Sequence, residues 1–191
     1  MQFPMFTTIR STTLSMLALL ALLLNLTATP VANAASAVEI NAKVASTLKT
    51  FYSKVKYGKT LANKAQAILV FPEVFKAGIG IGGEYGEGAM LRKGKTVGYY
   101  NTAAASIGFQ LGAQVKSQII MFMTKDALKG FKSNDGWKAG VDGSVAVITV
   151  GAAADLDTNT IRDPIIGFIF SNKGLMYNLT FEGSKITRME K

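Results

Sequence analysis

The chain has 191 residues, with 21 basic against 12 acidic side chains, a net charge of +9, and neither cysteine nor histidine. Those two gaps exclude Cys–His and Ser–His nucleophile–base pairs, the usual zinc sites and disulfide support. The length suits one domain able to bury its own core, and the basic surface calls for an anionic partner.

At the amino end, Arg10 is the only charge before Glu39, and Met16–Leu24 is an unbroken apolar run of nine residues. Pro30 and the small-residue sequence Ala32-Asn33-Ala34 follow. This pattern predicts a secretory signal peptide over residues 1–34, cleaved after Ala34. Nine residues fall well short of the ~20 that span a bilayer. The expected mature domain is Ala35–Lys191, periplasmic or secreted, with a net charge of +8 once Arg10 is lost. No cysteine is present to carry a lipid anchor. An exported protein meets little nucleic acid, so anionic lipid is the nearer partner for such a surface.

From Ala35 to Tyr57 the apolar residues Val44, Leu48, Phe51, Tyr52 and Val55 recur on one helical face. Lys43 and Lys54 flank that stripe on one side, Lys49 and Lys56 on the other. Gly58 is a stop, and Lys59 and Lys64 follow in a second short helical stretch. Between Ala35 and Ala65 there are six lysines and one acid, Glu39. Lysine stems beside an apolar stripe suit an anionic headgroup boundary. The same stripe is equally suited to pack on a sheet, leaving the lysines in water.

AILVF (Ala67–Phe71) reads as a short buried strand ending at Pro72. In KAGIGIGGEYGEGAM, Gly78, Gly80 and Gly83 satisfy G-x-G-x-x-G, the dinucleotide fingerprint. That reading needs a strand running into the first glycine, a helix after the last and an acid about twenty residues on. The apolar run ends too early, Gly86, Gly88 and Gly94 interrupt any helix, and VGYYN holds no acid. A period of two is the better description: Gly78, Gly80 and Gly82 alternate with Ile79 and Ile81, one face apolar and the other bare. Such a stripe accommodates a sharply coiled sheet or a close neighbour, or else forms a shallow trough for a hydrocarbon chain.

KTVGYYN, the alternating ASIGFQLGAQV and the apolar SQIIMFM read as further strands, with Ile107, Phe109, Leu111, Ala113 and Val115 on one face. Thr124 caps a helix over TKDALKGFKS, with Asp126 in its first turn. GSVAVITVGA is another strand. PIIGFIFS and GLMYNLTF predict a hairpin across Asn172-Lys173-Gly174, and EGSKITRM closes the sheet.

Other patterns are weak. Glu84 and Glu87 have no nucleophile or base beside them and, three apart in a strand, face opposite sides. Asp155-Leu156-Asp157-Thr158-Asn159 opens like a calcium loop but lacks its glycine and closing glutamate. Asn178-Leu179-Thr180 matches a glycosylation acceptor inside an expected strand. Trp137 is expected in the core.

The blocks AILVFPEVFKAGIGIGGEYGEG, YYNTAAASIGFQLGAQ, IIMFMTKDAL, GSVAVITVGA and SNKGLMYNLTFEGSKI, over most of Ile68–Ile186, resemble the SYLF domain, also called the Ysc84-type actin-binding domain. The resemblance implies a compact, largely antiparallel fold whose shared activity is phospholipid binding. Eukaryotic members of that family add SH3 or FYVE modules and bind phosphoinositides and actin filaments. It implies no catalytic residues here.

The sequence thus predicts one α+β domain: a strongly curved, mostly antiparallel or barrel-like sheet, an N-terminal helical segment and a short helix near 124–133. Its expected role is non-catalytic phospholipid binding, without cofactor or metal. Lys43, Lys49, Lys54, Lys56, Lys59 and Lys64 would meet headgroups. Phe51, Tyr52, Gly78, Gly80, Gly82 and Tyr85 would offer an apolar, glycine-bared surface. The alternative is a structural or adaptor protein whose basic face binds an acidic protein or filament.

Overall fold

The computed structural model describes residues 35–150, 162–174 and 183–191, with the backbone alone at 106–111, 172 and 174. They lie within one compact unit, Ala35–Lys191. The leader, the Asp155–Asn159 and Asn178–Thr180 motifs, and the face assignments within 106–111 and 175–181 fall outside the described residues.

Two helices come first, α1 (Ala37–Lys54) and α2 (Gly58–Lys64). Two long strands follow, β1 (Ala67–Arg92) and β2 (Lys95–Phe122). Then come α3 (Lys125–Ser133), β3 (Trp137–Lys138), β4 (Ala146–Thr149), β5 (Ile165–Gly174) and β6 (Lys185–Met189). β2 is the spine of the sheet. Along one edge it pairs with β1 from Arg92↔Lys95 to Ala67↔Phe122. Along the other edge it pairs with β6 at Tyr99–Ala103 and with β5 at Gln114–Phe122. β4 adds to β5 in parallel, so the curled half-barrel is a mixed sheet.

The separate short strands expected on either side of the glycines are single long ones. The glycines bend the ladder without ending it. Lys93 and Gly94, with φ of 49° and 77°, supply the two positive-φ positions of a tight hairpin turn. Proline lacks an amide donor and is tolerated at irregularities, and Pro72 sits at the register shift between Phe71 and Val74.

The hairpin doubles back sharply. Val74 lies opposite Lys116 in the ladder, and Glu84 is ten residues further along β1. A straight strand would separate positions 74 and 84 by roughly 33 Å, yet Lys116 Nζ lies 2.8 Å from Glu84 Oε2. Glycine permits that closure. A Cβ at Gly86 would stand 2.7 Å from the Glu73 carbonyl oxygen, and one at Gly88 would run into the Val70 carbonyl. Of the two roles open to the glycine stripe, close approach of chain to chain accounts for Gly78, Gly86 and Gly88.

Both faces of the sheet are covered, which is why AILVF and SQIIMFM are continuous apolar runs. α1 and α2 lay Ile40, Val44, Phe51 and Leu61 on Val70, Ile119, Met121 and Phe168. On the other face α3 places Leu128 and Phe131 with Phe122 and Trp137, and Trp137 is buried as expected. Thr124 caps α3, its side chain accepting from the Ala127 amide at 3.2 Å.

The turn expected at Asn172–Gly174 is instead the end of β5, with Lys173 opposite Val115 and Gly174 opposite Gln114. The turn-forming residues mark an irregularity: the register slips between Val115 and Ser117, and Ser171 has φ 55°.

Candidate lipid-binding surface

Ser36 begins α1, its side chain accepting from the Glu39 amide at 3.2 Å. Consecutive helical residues turn by about 100°. Lys43 and Lys54 therefore leave one flank of the apolar stripe, and Lys49 leaves the flank nearer Tyr52. Lys43 is committed: its Nζ lies 2.9 Å from Glu39 Oε1 and 2.9 Å from Glu73 Oε2. The hydrogen bond to Glu73, then that to Glu39, holds its pKa above the ordinary lysine value. Its charge is thereby compensated in place by two carboxylates. Lys49, Lys54, Lys56, Lys59 and Lys64 are all exposed, and among the described residues none of them makes an ion pair. Lys56 Nζ sits 5.5 Å over the ring of exposed Tyr57.

The stripe itself faces inward. Phe51 is fully buried, its ring 4.8 Å from that of Phe168 and 5.6 Å from that of Phe170. It is a core residue and not part of an apolar surface: burial against two aromatic rings outweighs any contact it could make outside. Tyr52 is half-buried at the edge of the stripe, and that burial raises its pKa.

Tyr52 lines a cleft of about 390 Å³ between α1, α2 and the start and end of β1. Leu48, Ile68 and Leu91 give it apolar walls, with Asn63, Lys93 and Gly94 among the other lining residues. No carboxylate lines it. Lys49 and Lys64 adjoin lining residues in the chain, as do Arg92 and Lys95 at the hairpin turn, and all are exposed. Sequence reasoning passed over Arg92, Lys93 and Lys95. The signal was a run of three cations within four residues, but only the hairpin register brings that turn to the helices.

The glycine-bared surface is largely consumed by the bend. A Cβ at Gly78 would meet the Ile81 carbonyl oxygen at 2.7 Å, and Gly82 is buried. Gly80, with φ 71°, is exposed with open space beside it. The apolar surface lies on the opposite side of this strand, where Ile79 is 80% and Ile81 71% exposed, with Phe75 and Tyr85 also exposed. Alternation predicts two faces, and the curl decides which of them turns outward. Among the described residues, no helix is long and apolar enough to cross a membrane.

Glu84 and Glu87 do leave opposite faces. Glu84 is buried with Lys116. Glu87 accepts from the Ala35 amide at 3.1 Å and from the Tyr85 hydroxyl at 2.8 Å, with Lys191 Nζ at 3.4 Å. It ties the two ends of the domain together.

A family model described as Ysc84, "Las17-binding protein actin regulator", matches residues 103–191. That segment runs from the middle of β2 through β6, and the match is consistent with a member of the SYLF domain family. The family supports a lipid- or actin-binding domain in general. No curated protein matches the chain significantly.

Proposed function

We propose that this protein binds anionic phospholipid at a membrane surface, without catalysis, after export and removal of residues 1–34. The observation that carries the reading is the set of exposed, unpaired lysines from Lys49 to Lys64, beside an apolar-walled cleft free of carboxylates. Each lysine close to an anionic leaflet contributes about 1 kcal/mol. Engagement of about half the set gives ~2–3 kcal/mol, enough for reversible recruitment but not anchoring. The cleft adds room for part of an acyl chain, and exposed Ile79 and Ile81 add apolar contact at the bend of the hairpin.

Vesicle flotation tests this directly. Binding to phosphatidylglycerol vesicles that fades with added salt, together with weak binding to phosphatidylcholine vesicles, is the expected result. Equal, salt-indifferent binding to both would contradict it.

The description of the matched family favours a second reading, in which the same basic face binds an acidic protein or filament. Native mass spectrometry after gentle purification separates the two. Co-purified lipid supports the first, whereas a bare polypeptide mass with filament co-sedimentation supports the second.

A further inference from the structure

The concave side of the hairpin curl gathers polar side chains that the membrane reading does not use. Lys76, Gln114, Lys116 and Gln118 come from one half of the hairpin, Glu84 and Thr102 from the returning half, and all six are buried. The register sets Lys76 opposite Gln114 and Gly86 opposite Thr102. Lys116 Nζ takes Glu84 Oε2 at 2.8 Å, and Gln118 Nε2 donates to Glu84 Oε1 at 3.3 Å, so both carboxylate oxygens are engaged. Lys76 is 6% exposed and makes no ion pair among the described residues. Its positive charge acts against that of Lys116.

Four buried atoms of these residues have no hydrogen-bond partner: Thr102 Oγ1, Gln118 Oε1 and both amide atoms of Gln114. Buried polar atoms in folded proteins are nearly always paired, so a concentration of unpaired ones near a buried lysine has the character of a recognition site. The chemistry is specific. An ammonium and an amide N–H address an oxyanion, while two carbonyl oxygens and a hydroxyl address hydroxyl groups on the same ligand.

We propose that the interior of the curl, lined by Lys76, Gln114, Gln118 and Thr102, binds a hydroxyl-bearing phosphate group of the kind found in glycerol phosphate, at a site separate from the lysines of α1 and α2. The phosphate lies against Lys76 and Gln114 Nε2, and the hydroxyls donate to the two glutamine carbonyls. Lys116 and Glu84 form the fixed floor.

The test is calorimetric titration of the full-length expressed protein at constant ionic strength. Three probes are used: inorganic phosphate, glycerol 3-phosphate and monomeric dihexanoyl-phosphatidylglycerol. Saturable binding that K76M and Q114L each weaken about tenfold, while K129Q, at an exposed lysine of α3, leaves it unchanged, is the expected result. Q114L exchanges an unpartnered amide for an apolar group of similar size, and its melting temperature shows whether the fold is retained. Binding of either soluble phosphate identifies a free phosphate as sufficient. Binding of the short-chain lipid alone, with the same sensitivity to K76M, identifies the headgroup as the source. Absence of saturable binding by all three probes, or binding that survives both interior variants, would overturn the proposal. It would leave water as the partner of these atoms without affecting the membrane reading, which a K49Q/K64Q variant tests separately.

Discussion

Tyr85 and Glu87 extend from the same side of β1, joined by a 2.8 Å hydrogen bond that Tyr85 donates. Burial first, then the hydrogen bond and negative charge of Glu87, push the Tyr85 pKa up to about 12. An unfolded tyrosine ionises near pH 10. Below that pH both states hold the proton, and between 10 and 12 the unfolded chain loses it first, so stability falls as pH rises through this window. Tyr52 and Tyr100, raised by burial, act in the same direction. Phenolate absorbance should therefore show a late-titrating tyrosine that E87Q moves toward its ordinary value. The Lys116–Glu84 pair obeys a different rule, because burial lowers the Lys116 pKa against the pull of Glu84. K116M alone strands a buried carboxylate and should cost about 3–5 kcal/mol in urea unfolding. The double variant K116M/E84Q should recover part of that loss, because the carboxylate is then no longer stranded.

Each element owes its place to a few positions, and these differ sharply in tolerance. G86A would press a methyl group onto the Glu73 carbonyl and Val74, and should cost about 3 kcal/mol. G83A meets nothing within 4 Å and carries no positive φ, so it should be neutral or slightly stabilising in thermal melts. F51A should cost about 3–5 kcal/mol by undocking α1 from Phe168 and Phe170. A variant as stable as wild type but defective in lipid binding would instead make Phe51 a ligand contact. Helix positions were legible in the sequence to within a few residues, because the stripe of α1 and the Thr124 cap are local signals. The period of two through the glycines announced a strand, and its apolar and bare faces were readable. Where the chain reverses was not. That depends on Gly86 and Gly88 meeting residues twelve and more positions earlier, which no local pattern encodes. Asn172–Gly174 misled for a related reason: turn-prone residues also serve bulges, and only the register with β2 separates the two.

On the scale of the whole molecule, charge is laid out with a consistent logic. The acids of the described residues near α1 are already used: Glu39 and Glu73 hold Lys43, and Glu87 holds Lys191 and the start of the domain. The positive excess therefore stands uncompensated along Lys49–Lys64 and at the hairpin turn. The lysine-rich segment could be read from the sequence, because it is local. Its loss of Lys43, and its gain of Arg92, Lys93 and Lys95 beside the cleft, needed the fold. K43Q should thus leave membrane affinity nearly unchanged, whereas K49Q/K64Q should weaken it measurably at low salt.

The most direct measurement is the salt dependence of partitioning onto phosphatidylglycerol vesicles, comparing wild type with a variant carrying glutamine at Lys49, Lys54, Lys56, Lys59 and Lys64. The account predicts steep salt dependence for wild type, with affinity about tenfold or more higher at low salt than for the variant, and a nearly flat profile for the variant. Coincident profiles for the two proteins would contradict it.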